Sequence, residues 1–281
     1  MATATQVQAE SKRGTLLLHS WRAIWAITRG TFKDTWRQRI ILVLLVFGMA
    51  VLPASLIFSW LSAGEEIKFV IDTGLGTILL FGLLMGIFMA ASMIPLEIEH
   101  RTIFTILSKP VRRFEFVLGK FLGIALTLLV NILLMGVVFL VIYGVKQVML
   151  NAPPFQNFVT LIQALFLLYL QVMLITTIAL TVSTVASLWF NIIFSFFVYF
   201  VGNMSEVIHH ISTHTQVNAL RLLMGIFNAI VPHFENFDLR QKLLLGDPVP
   251  WGYVAQVVGY TAQYVVVMFL IAYLLFNERE F

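Results

Sequence analysis

The sequence predicts an all-α integral membrane protein with six transmembrane helices. Three observations carry that prediction. Hydrophobic residues make up 59% of the chain and charged residues only 11%, with a mean hydropathy of +0.91, far from the average of soluble domains. Five stretches, 40–64, 73–96, 121–145, 147–205 and 248–277, contain no Asp, Glu, Lys or Arg, and each exceeds the about 20 apolar residues that cross a bilayer core. The basic residues, finally, gather in a few short segments between these runs.

The elements follow in order. Before the first span, residues 15–39 place Leu17, Trp21, Ile24, Trp25, Phe32 and Trp36 at helical spacing, with Arg22, Arg29, Lys33 and Arg37 mostly between them. Such a helix lies in the membrane interface, tryptophans at headgroup depth and basic groups toward anionic lipid. It is either an anchor alone or also a contact surface for a cytoplasmic partner. Spans are expected at about 40–61, 73–96 and 119–145. The 147–205 run is twice one span in length, and Asn151-Ala-Pro-Pro154 and Ser187-Leu-Trp-Phe-Asn191 divide it into helices at about 156–186 and 190–207 with a tight turn between. The last span is expected at about 251–276, after an external excursion over 208–250. Within that excursion, 222–232 is apolar but too short to cross, which suits a re-entrant or surface helix.

Six spans put both termini on one side. With that side cytoplasmic, thirteen of the 18 Lys and Arg residues are inside, and Lys68, Lys146, Arg221, Arg240 and Lys242 are outside. This is the bias that orients membrane proteins. The first fourteen residues are polar, so no cleavable signal peptide is expected. Absence of cysteine excludes disulfides and thiolate metal sites. A net charge of +4 spread over juxtamembrane segments does not suggest a nucleic-acid partner.

Between spans two and three, Glu97, Glu99, Arg101, Lys109, Arg112, Arg113, Glu115 and Lys120 interleave with Ile98, Ile103, Phe104, Ile106, Leu107, Phe114 and Phe116. Residues 97–108 can make about three helical turns, and Pro110 starts a second short helix through 116. The pattern is a bent, amphipathic cytoplasmic element, or simply a basic loop that fixes topology.

"LEIEHRTIFTILSKPVRRFEFVLGKFLG" resembles the segment after the second transmembrane helix in permease subunits of ABC-2-type ABC transporters. The matching positions are Glu97, Thr102, Leu107, Pro110, Arg113, Glu115, Gly119 and Lys120. One departure is visible: many members have Gly immediately before the Thr, where this chain has Arg101. The hydropathy plan and the ending "NEREF" agree with the same family, and "VPHFENFDLRQ" (231–241) is similar to the subset related to permeases of nitrous oxide reductase maturation and gliding motility. The resemblance implies a multi-pass protein of the bacterial inner membrane, paired with a second permease subunit (itself or a similar chain) and with a separate ABC ATP-binding subunit that carries ATP and Mg. It implies that the chain has no catalytic residues and no cofactor of its own, and that 97–116 is the coupling helix, with Glu97, Glu99, Arg101, Phe104, Leu107, Pro110, Arg113 and Glu115 as the ATPase-coupling residues. No G-x-x-x-x-G-K-[ST] loop occurs in the chain, consistent with ATP binding elsewhere. Because exporters dominate the family, it implies export of an unidentified substrate. A scaffold that holds an ATPase to mature an external protein, without transport, is the alternative; a secondary carrier is a further rival.

Two other features carry chemistry. Asn131, Gln163, Gln171, Thr176, Thr177, Thr181, Ser183, Thr184, Asn191 and Asn203 are polar residues within spans, which pack against other helices or line a path. No fixed charge occupies the middle of a span, which argues against an ion-coupled carrier. Glu206, His210 and His214 share one helical face and have the donor chemistry for Zn²⁺ or Cu²⁺, although a solvated helix end has the same composition. No metal site is expected from them.

Overall fold

The computed structural model describes residues 20–60, 64–99, 113–151, 157–204 and 231–278, with the side chains of 96–99, 113 and 276–278 left aside. These residues form helices and connecting turns, with no strand among them. In chain order the helices are α1 (20–36), α2 (Arg39–Ser59), α3 (Glu66–Glu99), α4 (Arg113–Met149), α5 (Phe158–Ser183), α6 (Leu188–Gly202), α7 (Arg240–Leu245) and α8 (Trp251–Glu278).

Five of them, α2, α3, α4, α5 and α8, are long and apolar enough to cross a membrane, and α6 is a shorter apolar helix of 15 residues. At 1.5 Å per residue α6 spans only about 22 Å, less than the roughly 30 Å hydrocarbon core. Its last residue, Gly202, lies against the 232–234 segment. A Cβ at 202 would meet the Pro232 carbonyl at 2.6 Å and the Phe234 ring at 2.5 Å.

α3 and α5 form the central pair, and α3 also touches α2, α4, α6 and α7. The register of α3 against α4 is antiparallel: Gly74 faces Phe139, Gly82 faces Ile132 and Gly86 faces Leu128. Gly82 and Gly86 also meet Val172 and Thr176 of α5, which runs parallel to α3. These glycines remove the side chain where another helix passes, as membrane helices require for close approach. Phe139, Ile78, Met85, Ile87, Val172 and Ile175 are fully buried around them.

The outer rim has the opposite character. Ile40, Val43, Phe47, Phe58 and Trp60 of the α2 side, and Val266, Val267, Leu270 and Leu274 of α8, are exposed. A helix apolar on its exposed side as well as its buried one suits hydrocarbon surroundings. Pro53 lies inside α2 and Pro95 inside α3, near the helix ends, positions that membrane helices tolerate. The α4–α5 connection begins at Asn151 and ends at Asn157, both left-handed at φ 53° and 62°, a conformation asparagine adopts more readily than most residues.

The Gly74 contact gives a direct test of this packing. An alanine methyl there falls on the Phe139 ring, so Gly74→Ala should destabilise the bundle by about 1–3 kcal/mol through overpacking. Thermal unfolding in detergent checks it, and adding Phe139→Leu should recover part of the loss, because contacting sites are not additive.

Candidate functional site

The end of the bundle where α3 stops and α4 starts is built on a close contact between α1 and α4. Ile24, Thr28, Thr31 and Thr35 recur at helical spacing along α1 and are all buried. Opposite them stand Gly119 and Gly123 of α4. A Cβ on Gly119 would lie 2.8 Å from Ile27 and 3.1 Å from the Ile24 carbonyl; one on Gly123 would lie 2.5 Å from Thr31 and 3.0 Å from the Thr28 carbonyl. The Thr28 hydroxyl lies 2.9 Å from the Ile24 carbonyl and 3.3 Å from that of Gly119, so its single proton is shared between the helices. This is the small-xxx-small contact of membrane helices.

A second clamp acts from α8. The Phe114 ring meets Phe269 edge-on at 5.3 Å and Tyr273 at 6.0 Å, and Phe121 lies 6.4 Å from Phe269. Edge-to-face pairs of this kind add about 0.5–1.5 kcal/mol each beyond area burial. Glu115 and Lys120 are buried in the same two turns, and the Lys120 ammonium lies 5.5 Å from the centre of the Phe116 ring. Glu115 occupies the first turn of α4, where the helix dipole favours a carboxylate.

Of the sequence-predicted coupling residues, Glu97 and Glu99 fall in the last turn of α3 and Arg113 opens α4. Arg101, Phe104, Leu107 and Pro110 lie outside the described residues, as do Glu206, His210, His214 and the apolar run 222–230. The Ile/Thr stripe of α1 escaped the sequence reading, which took the tryptophans as the organising face. Trp21 and Trp25 stand away from that stripe, 65% and 58% exposed. The readable signal was Gly119-x-x-x-Gly123, whose partner had to be a face of small side chains.

At the opposite end, Glu66 in the first turn of α3 makes a salt bridge with Lys146 of α4. Lys146 is 2% exposed, and its ammonium also lies 5.7 Å from the Trp60 ring centre. One cation therefore ties together the ends of α2, α3 and α4. The chain from Val231 to Pro250 is riveted nearby: Phe234 packs on Tyr199, the Tyr260 hydroxyl accepts the His233 backbone N–H at 2.9 Å, and the Tyr253 hydroxyl donates to the Asn236 carbonyl at 2.7 Å. Asp238 accepts the Arg240 backbone N–H at 2.9 Å to start α7, and left-handed Gly246 ends it.

Most polar residues within the spans serve packing. Thr176, Thr177 and Thr181 bond the carbonyls four residues back, Thr181 also reaches Met268 of α8, and the Asn191 amide donates to the Ala179 carbonyl at 2.8 Å to close the α5–α6 corner. The Gln163 amide donates to the Val249 carbonyl. Asn131 differs: it is wholly buried, and neither amide atom has a partner among the described residues. Leaving such groups unmet costs about 1–3 kcal/mol.

Long apolar helices, charged helix ends and glycine-mediated packing define the class as a multi-pass α-helical membrane protein. Residues 25–281 match the family described as ABC-2 family transporter protein, and the chain belongs to that family. No curated protein matches the chain. Membership makes it a permease-type transport subunit rather than an enzyme and implies partnership with an ABC ATP-binding subunit.

Lys146→Met should cost about 3 kcal/mol by leaving Glu66 without its partner in a largely buried pocket. Thermal unfolding of the purified protein checks this, and Glu66→Gln added to the same chain should restore part of the stability.

Proposed function

We propose that this chain is the membrane subunit of an ATP-driven exporter, moved between inward- and outward-facing states by a separate ATPase that binds residues 97–116. Both termini lie in the cytoplasm on this reading, and the membrane is a bacterial inner membrane. The observation that carries it is the double clamp on the first turns of α4, by α1 through Gly119 and Gly123 and by α8 through Phe114 and Phe269. A push delivered at the 100–112 connection would not be absorbed locally. It would move α4 together with α1 and α8, and α3 with them through the glycine contacts, which is how a rigid-body transition propagates.

The ATPase supplies ATP and Mg chemistry; this chain supplies the lever and the path. A second copy of the permease fits the rim of α8, where Gly252, Ala255, Gln256, Gly259, Ala262 and Gln263 are all exposed. They repeat at seven-residue spacing in the words Gly-Tyr-Val-Ala-Gln and Gly-Tyr-Thr-Ala-Gln. Small residues and amides at that spacing suit a helix partner better than lipid tails.

Affinity purification from native membranes in mild detergent should bring down a P-loop ATPase in about equal amount, and its reproducible absence would defeat the reading. Glu97→Arg, Phe104→Asp and Gly123→Leu should each uncouple ATP hydrolysis from transport while the protein still inserts. Normal transport by all three would remove the lever. ATPase activity that rises with substrate separates transport from a maturation scaffold. Because the chain has no cysteine, Gly259→Cys is a clean probe of pairing: oxidation should yield a disulfide-linked dimer, whereas Val43→Cys on the α2 rim should not.

A further inference from the structure

A cavity of about 170 Å³ lies between α3, α5, α6 and the segment 237–240. Its floor is apolar, made by Leu75 and Leu79 of α3 and Ala164 and Leu168 of α5. Gln171, Tyr199, Asn203, Asp238 and Arg240 bring polar groups to its walls.

Two of these groups keep hydrogen-bonding capacity that no described residue meets. Gln171 is only 4% exposed, and its amide has no hydrogen bond among the described residues. It stands about 20 Å along α5 from Phe158, near the middle of the helix. The Arg240 guanidinium meets Asp238 through Nε alone, at 3.6 Å. Its Nη1 and Nη2 are turned to Gly76 of α3, where even a Cβ would come no nearer than 3.9 Å, and no acceptor receives them among the described residues. An open guanidinium fork is shaped for two oxygens of a carboxylate or phosphate.

The rest of the lining narrows the ligand. Water alone suits the polar wall, but each buried water needs two to four polar partners, which the leucine floor does not offer. The volume exceeds the roughly 150 Å³ void that accepts a benzene-sized molecule. Arg240 and Asp238 together carry no net charge, so a bare anion on Arg240 would face the Asp238 carboxylate at close range. A ligand with its own cation meets both.

We propose that this cavity binds a phosphate–ammonium zwitterion of the phosphoethanolamine type, its oxyanion on the Arg240 fork and the Gln171 amide and its ammonium toward Asp238. The zwitterion is either a lipid headgroup entering from the bilayer or a free ester entering from water. Binding needs no ATPase, so it stands or falls separately from the transport reading.

The test is native mass spectrometry of the purified full-length protein in neutral detergent with added phosphatidylethanolamine, phosphatidylglycerol or soluble phosphoethanolamine. Phosphatidylethanolamine should be retained at least about tenfold more tightly than phosphatidylglycerol. Arg240→Gln and Ala164→Phe should each weaken retention about tenfold, with unchanged helical circular dichroism and elution volume. Should the bulky Ala164→Phe fail to fold, Gln171→Leu keeps the cavity's shape and should weaken retention likewise. Displacement of the lipid by soluble phosphoethanolamine assigns the free ester; retention that the ester does not disturb assigns the lipid headgroup. Equal retention of the two lipids together with no binding of soluble phosphoethanolamine, or unchanged retention by both Arg240→Gln and Gln171→Leu, overturns the proposal.

Discussion

Lipid tails are as apolar as leucine, so helices inside a bilayer gain little by hiding side chains from them. Close approach of backbones has to do that work instead, and in this chain it is concentrated on α3 and the start of α4. Gly74, Gly82 and Gly86 let α3 take Phe139, Val172 and Thr176 against its own backbone, and Gly119 and Gly123 do the same for α1. Remove that proximity and the other interactions lose their geometry. The Thr28 bond to the Gly119 carbonyl, the Phe114 contact with α8 and the Lys146 bridge to Glu66 all depend on helices already held at the right spacing.

The two ends of the bundle are then fixed by different chemistry. Where α3 gives way to α4, the fastening is steric and aromatic, with hydroxyls bonded to carbonyls and rings set edge to face. At the other end it is ionic: a lysine buried to 2% is answered by Glu66 and by the face of Trp60. Buried ion pairs resist being opened one partner at a time. Steric contacts let helices slide as a packed unit. On the proposed reading, the ionic end resists opening while the steric end receives the push.

Much of the architecture was legible in the sequence because hydrocarbon imposes a length rule. Charge-free runs of the right length announce helices, and Ser187-Leu-Trp-Phe-Asn191 marked the corner that the Asn191 amide now closes. Lengths of the helices beyond the hydrocarbon were less legible, since α3 and α4 carry their charged ends, Glu66 and Lys146, in continuous helix. Nor did periodicity reveal what the threonines of α1 do: a polar residue that faces a glycine looks, in a string of letters, like one that faces water. The neighbours of Gln171 were equally hidden, because Arg240 and Asp238 reach it across some 70 residues of chain, a separation that periodicity does not bridge.

The short apolar face of α6 has a consequence for the surrounding bilayer. Along α6 the exposed ring from Trp189 through Phe190, Ile193 and Phe197 to Phe200 covers only about 17 Å of apolar height, whereas α2 on another side presents a band from Ile40 to Phe58 of about 27 Å. Lipids cannot match both at once. A bilayer that matches the α2 band overshoots the α6 ring, and mismatch of this kind costs fractions of a kcal/mol per Å. Acyl-chain length thus becomes a load on the protein, and a thicker membrane weighs most on the side of α6.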